Sequence, residues 1–233
     1  MHKYSKQTRL LLAVDCIILG FDGEMLKILL IKRDFQPEKG NWSLMGGFVQ
    51  PEESIDQAAN RILKQLTDLQ GVYLEQLHTF GATKRDPIER TVSVTYFALI
   101  DINKYQTQLS QDYHAEWFPL KRTPKLIFDQ QEMVEAARKQ IRYKAAMHPI
   151  LFELLPTKFT IPQLQTLYES VFNTAIDKRN FSKRVLATGL LIKLADKDKA
   201  GSKRGAFYYQ LNMQNYYAKF QAIMNFIPNP DTL

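Results

Sequence analysis

Apolar and polar positions follow two rhythms along this chain. Arg9–Leu19 and Leu26–Ile31 are nearly unbroken β-rich apolar runs, and Phe21-Asp22-Gly23-Glu24 between them has turn chemistry. Pro51 opens a segment whose apolar residues Ile55, Ala58, Ala59, Ile62, Leu63 and Leu66 recur at spacings of three and four. That spacing predicts an amphipathic helix from Glu52 to Thr67, with Pro51 near its first turn. Val72–Phe80 and Thr91–Ile100 read as strands around a turn-rich loop, Ala82–Arg90, and Trp117-Phe118 reads as a short strand. After Asp129 a second helix extends to Ala146 on Met133, Ala136, Ala137, Ile141 and Ala145, and Pro149 argues for a break just before it. The pattern is an α/β domain, a sheet packed by helices.

From Ile150 the rhythm is mainly helical. Ile150–Leu155 is a short helix closed before Pro156. Thr160 caps a helix through Leu164, Leu167, Tyr168 and Val171, with Pro162 in its first turn. After a turn at Asn173–Ile176, Asp177 caps a third helix, Lys178 to Leu190. Leu191–Ala195, a loop at Asp196–Gly205 and the strand-like Ala206–Leu211 complete the order helix, helix, helix, hairpin, which is that of a winged helix. A short helix is expected around Tyr216–Phe226. The division into domains falls at residues 1–148 and 149–233.

Composition narrows the class. With 45% hydrophobic and 24% charged residues among 233, the chain reads as a soluble globular protein. It lacks an apolar run of membrane-spanning length and the layout of a secretory signal, so no membrane partner and a cytoplasmic location are expected. The single cysteine, Cys16, lies inside an apolar strand and reads as a buried thiol, which excludes disulfide scaffolds and cysteine-rich zinc sites.

The net charge of +7 has a location. Up to Leu155 there are 20 basic and 19 acidic residues, and from Pro156 onward 11 basic and 5 acidic. A basic tail behind a near-neutral domain points to a polyanion. On a helical wheel Phe181, Val185 and Thr188 share one face of the third helix, while Arg179 and Lys183 point the opposite way. A helix of this width fits the major groove of duplex DNA. Arg179, Asn180 and Lys183 are candidates for base edges or phosphates. Lys178, Ser182 and Arg184, with Lys203 and Arg204 of the loop, are candidate phosphate contacts. Operator-grade affinity normally takes two such modules, which predicts a homodimer on double-stranded DNA.

Asn41-Trp42-Ser43-Leu44-Met45-Gly46-Gly47-Phe48-Val49, followed by Glu53 and Arg61, resembles the box of the Nudix domain family, whose enzymes hydrolyse nucleoside diphosphates linked to another moiety. Gly47, Glu53, Arg61 and Leu63 match that box. Ile62 stands in place of the glutamate after the arginine, Gln65 and Leu66 replace the paired glutamates, and Asp68 replaces the last glycine. In the family those carboxylates hold magnesium, a hard cation that Ile62 and Leu66 cannot ligate and to which Gln65 offers only a neutral carbonyl. No cofactor, no metal and no catalytic residue are therefore expected, and Gly47, Glu53 and Arg61 are expected to remain as structure.

Lys125-Leu126-Ile127-Phe128-Asp129-Gln130, Phe159-Thr160-Ile161-Pro162-Gln163-Leu164-Gln165 and Asp177–Arg184 resemble segments of Nudix-related transcriptional regulators. That resemblance implies a Nudix-type α/β/α sandwich with a mixed sheet, followed by a winged helix-turn-helix domain. It also implies a non-catalytic domain that binds a small-molecule effector, with Lys32, Arg33, Trp42, Phe48 and Trp117 around the pocket. Some members respond to ADP-ribose-like nucleotides and others to a sugar. The eroded box suggests the sugar-catabolism group, with a pentose such as arabinose as effector. A magnesium-dependent hydrolase of ADP-ribose or another nucleoside diphosphate derivative, and an RNA-binding or scaffold protein, are the alternatives.

Overall fold

The computed structural model of the chain describes residues 7–105, 114–199 and 205–224. They divide into two compact units. One holds the chain up to Gly20 together with Leu26–Ile141, and the other holds Phe21–Met25 and the chain from Arg142 onward.

The strands of the first unit are β1 (Leu11–Phe21), β2 (Leu26–Lys32), β3 (Trp42–Ser43), β4 (Met45–Phe48), β5 (Glu75–Phe80), β6 (Thr91–Asp101) and β7 (Glu116–Pro119). They form one sheet in the order β3-β2-β1-β6-β5, with β4 joined to β1 and β7 to β2. The apolar run in β1 does not alternate because both of its faces are covered. Val14, Cys16 and Ile18 meet Ala58, Ala59, Ile62 and Leu63 of helix α1 (Ile55–Thr67) in one cluster, while Ile17 and Leu19 on the opposite face are equally buried.

α1 begins later than its apolar spacing suggests. The Ser54 hydroxyl accepts from the Gln57 N–H, and the Gln57 side chain accepts from the Ser54 N–H. This capping box places the start at Ile55 and leaves Pro51 in the preceding turn. β5 is also shorter than expected: it pairs with β6 only from Glu75, while Val72 is buried in the core as irregular chain. A one-turn helix, α2 (Ile102–Tyr105), follows β6, and α3 (Gln130–Met147) buries Met133, Val134, Ala137 and Ile141.

In the second unit a 3-10 turn at Ile150–Leu154 leads to β8 (Phe159–Thr160), α4 (Ile161–Phe172), α5 (Lys178–Ala187), β9 (Leu191–Asp198), β10 (Ala206–Leu211) and α6 (Met213–Met224). β10 lies between β8 and β9. Leu151, Leu154, Phe159, Leu164, Leu167, Val171, Phe181 and Tyr209 are buried. Thr160 and Gln163 form a second capping box. α5 stops at Ala187 rather than Leu190, because Gly189 takes a left-handed φ of 67° that ends the helix. β9 runs on to Asp198, so Lys197 lies on a strand and not in the loop. The architecture is an α/β domain followed by a winged helix-turn-helix. No helix among the described residues is long and apolar enough to cross a membrane.

Candidate functional site

β1, β4 and the start of α3 converge on a cleft in the first unit. Its walls include Asp15, Arg33, Phe35, Gly46, Gly47, Phe48, Arg85, Asp86, Phe128 and Gln130. They line an open, solvent-accessible cleft. Gly46 lies opposite Asp15 in the β1–β4 register. A Cβ at Gly46 would stand 2.7 Å from Asp15 Oδ1, so only glycine allows this approach.

The floor is a buried polar network. Asp15 is 5% exposed; its Oδ2 accepts from the Ser93 hydroxyl at 2.6 Å and its Oδ1 from Gln130 Nε2 at 2.8 Å. Gln130 Oε1 accepts from the Leu44 N–H, which ties α3 to the β3–β4 junction. Burial pushes the Asp15 carboxyl above its ordinary pKa, against the bond from Ser93 and the charge of Arg85. Arg85 donates twice to Asp129, at 2.8 and 2.9 Å, and stands 3.7 Å from Asp15. Its charge is consumed within the protein.

Arg33 differs. Its Nε donates to the Pro37 carbonyl at 2.6 Å and its guanidinium lies over the Phe35 ring at 3.8 Å. Its terminal nitrogens have no hydrogen-bond or ion-pair partner among the described residues. Phe35 and Phe48 are 56% and 52% exposed, which leaves two aromatic faces for a ligand beside the guanidinium.

Two residues of the box remnant are paired with each other. Arg61 holds Glu53 through two hydrogen bonds and also donates to the Phe48 carbonyl at 3.0 Å. Ile62 fills the space beneath the glycines: a Cβ at Gly47 would stand 2.9 Å from Ile62 Cδ1. Gln65 is exposed, and Leu66 packs against the core. Asp56 accepts from the Tyr96 hydroxyl. Among the described residues no three His, Cys, Asp or Glu side chains are grouped to hold a metal ion.

Of the residues expected around the effector, Arg33 and Phe48 line the cleft and the other three do not. Lys32 is exposed at the end of β2. Trp42 packs edge-on against Phe118, 4.6 Å between ring centres. Trp117 packs over Gly20, where its ring tip would be 2.8 Å from an added Cβ, and its buried indole N–H has no hydrogen-bond partner among the described residues. Asp15, Phe35 and Arg85 also line the cleft, outside the set expected from the sequence. A carboxylate inside an apolar strand marked Asp15, but neither loop residue had a comparable signal.

In the second unit, Gln165 Nε2 donates to Glu169 Oε1 and to the Ile176 carbonyl, and Glu169 Oε1 accepts from the Ile176 N–H. These bonds set the turn between α4 and α5. Asp177 caps α5 by accepting from the Asn180 N–H at 2.8 Å. Phe181 anchors the inner face, its ring 5.6 Å from that of Tyr168. Lys178, Arg179, Asn180, Lys183 and Arg184 are exposed together. Ser182 is half-buried, with its hydroxyl turned back on the Lys178 carbonyl. Lys193 and Lys197 lie over the Phe207 ring, at 3.7 and 4.3 Å, and add two cations on the hairpin. Lys203 and Arg204 lie outside the described residues.

Comparison with known proteins agrees with this architecture. Residues 9–141 match the NUDIX domain, and residues 151–211 match the NrtR DNA-binding winged helix domain. The chain is 33% identical to the ADPR responsive transcriptional repressor NtrR of Acinetobacter baylyi, over 93% of this chain and 88% of that protein. Shewanella oneidensis NrtR complexed with a 27mer DNA superposes with a TM-score of 0.74 at 31% identity, covering 88% of this chain and 95% of that one. The NUDIX domain of the same protein complexed with ADP ribose gives a TM-score of 0.52 at 32% identity, covering 60% and 94%. These relatives overturn the expectation of a sugar-catabolism regulator responding to a pentose such as arabinose. The eroded positions lie on α1 and the cleft is lined mainly by other segments, so loss of the box acids does not by itself select a sugar. The acids were replaced on α1, while the cleft keeps an available guanidinium and exposed rings.

Proposed function

The chain belongs to the NUDIX domain family and carries an NrtR-type winged helix behind that domain, and from this premise we propose that it is a transcriptional repressor that grips operator DNA and responds to ADP-ribose. The observation that carries the reading is α5: its inner face is anchored by Phe181, its outer face presents Arg179, Asn180, Lys183 and Arg184 to solvent, and Lys178 is exposed at its first position. A capped helix with cations on one face suits the major groove, where Arg179 and Asn180 offer donors to guanine and adenine edges. Residues 1–148 form the effector domain and residues 149–233 the DNA-binding domain. The repressor acts in the cytoplasm as a homodimer, because two copies of a small module are needed for operator affinity.

The cleft suits a nucleotide better than a sugar. Arg33 offers a charged fork, and Phe35 and Phe48 offer faces for a base. The decisive experiment selects genomic duplex fragments with the full chain and then titrates ADP-ribose into the complex. Release of the duplex is the expected result. Operator affinity that ignores saturating ADP-ribose would overturn the sensor. Equal affinity for RNA and for unrelated duplexes would overturn the repressor.

A further inference from the structure

We infer that this cleft holds the diphosphate of its effector without a divalent cation, through the guanidinium of Arg33. The inference rests on the nucleotide-sensing reading above and adds how the charge is met.

The magnesium that the family's box would carry does not fit these residues. A hard cation wants several oxygen ligands in a near-octahedral shell. Ile62 fills the space beneath Gly47 with methyl groups, and Leu66 packs against the core. Of the acids that remain on this stretch, Glu53 is held by Arg61 and Asp56 receives the Tyr96 hydroxyl.

A diphosphate in a partly desolvated cleft still needs counter-charge. Two guanidiniums line this one. Arg85 is matched twice over by Asp129 and faces Asp15 as well. Arg33 spends a single N–H, on the Pro37 carbonyl, and stacks on Phe35, which fixes the plane of its fork. Partial burial works against its charged form, a cost that a phosphate would offset; Asp86, Asp15, Asp34 and Glu38 favour that form, yet none closes on it as an ion pair. Two terminal nitrogens in a fixed plane match two phosphate oxygens, a geometry that a lysine ammonium does not reproduce. No residue of the box is then left to activate water at the phosphorus, so the ligand is held and not cut.

The test is titration calorimetry of ADP-ribose into the full chain, once with magnesium and once with EDTA, on wild type, Arg33→Gln and Arg33→Lys. Thermal unfolding checks that the variants fold. The two wild-type dissociation constants should agree within about twofold. Arg33→Gln should weaken ADP-ribose binding by about tenfold or more, with partial recovery in Arg33→Lys. Adenosine, which has no phosphate, should bind wild type and Arg33→Gln alike. Binding that needs magnesium overturns the inference and leaves the repressor reading standing. Metal-free binding that is indifferent to Arg33→Gln overturns the role of Arg33. No binding of ADP-ribose in either buffer overturns both the inference and the sensor. If Arg33→Gln does not fold, the EDTA arm and Arg33→Lys still decide.

Discussion

Arg61 grips Glu53 with two N–H donors, Nε to Oε2 at 2.8 Å and Nη2 to Oε1 at 2.5 Å. The same guanidinium reaches the Phe48 carbonyl, and Glu53 also accepts from the Gln50 N–H. A glutamate and an arginine of a hydrolase motif thus serve as a brace between β4 and α1.

The brace has a pH signature. The Arg61 hydrogen bonds to its charged form hold the Glu53 pKa down at about 2, against an ordinary 4.5. A depressed carboxylate stabilises the fold above its unfolded pKa, and that contribution is lost as pH falls through the folded value. The stability gap between wild type and Arg61→Met should be constant above about pH 5 and close toward pH 2. Urea unfolding across that range measures it, and a gap that ignores pH would exonerate the pair.

Asp15 should show the opposite sign. Burial raises its pKa from 3.8, so the native state binds its proton more tightly than the unfolded chain. Its stabilising protonated form is fully present below pH 3.8 and is lost as pH rises through the folded value. Asp15→Asn should therefore gain on wild type as pH rises from acid to neutral. Parallel unfolding curves at several pH values test this, and a constant offset would refute it.

Ile62 is 3% exposed beneath the Gly46–Gly47 segment. Ile62→Ala should cost about 2–4 kcal/mol of stability by leaving a cavity there. Ile62→Glu, which restores a family carboxylate, should destabilise the domain by burying a charge without a partner. Neither should give magnesium-dependent cleavage of ADP-ribose, because Gln65 and Leu66 still offer no carboxylate. Chromatographic detection of AMP from either variant would contradict this.

On the recognition helix, Arg179→Ala or Lys183→Ala should weaken specific operator binding by about 1–3 kcal/mol where the side chain reads a base. Where it meets a phosphate, the log–log salt slope should fall by about 0.9. Anisotropy titrations at several salt concentrations separate the two. A variant that changes neither quantity does not touch DNA.

Much of this fold is visible along the chain because its signals are local. Thr160 and Pro162 announce α4, Asp177 announces α5, and the apolar run in β1 announces a strand covered on both faces. Element ends are less legible where two local signals compete: Pro51 suggests a helix start, but the Ser54–Gln57 box sets it. β3 and β4 are two and four residues long, and their pairing with β2 and β1 defines them more than their own composition does.

The effector question turned on a different kind of information. Loss of the carboxylates at positions 62, 65 and 66 is a fact of single positions, legible in the sequence as the loss of the family's hard-cation ligands. The exposed cations of α5 follow from helical periodicity in the same way. The cleft does not. Asp15, Arg33, Arg85 and Gln130 come from four separated segments, and nothing local distinguishes an arginine already matched by Asp129 from one with an open fork. Ion pairing and burial are set by distances between segments remote in the chain, so packing settled which guanidinium was spent and that Trp42 and Trp117 lie outside the cleft's lining.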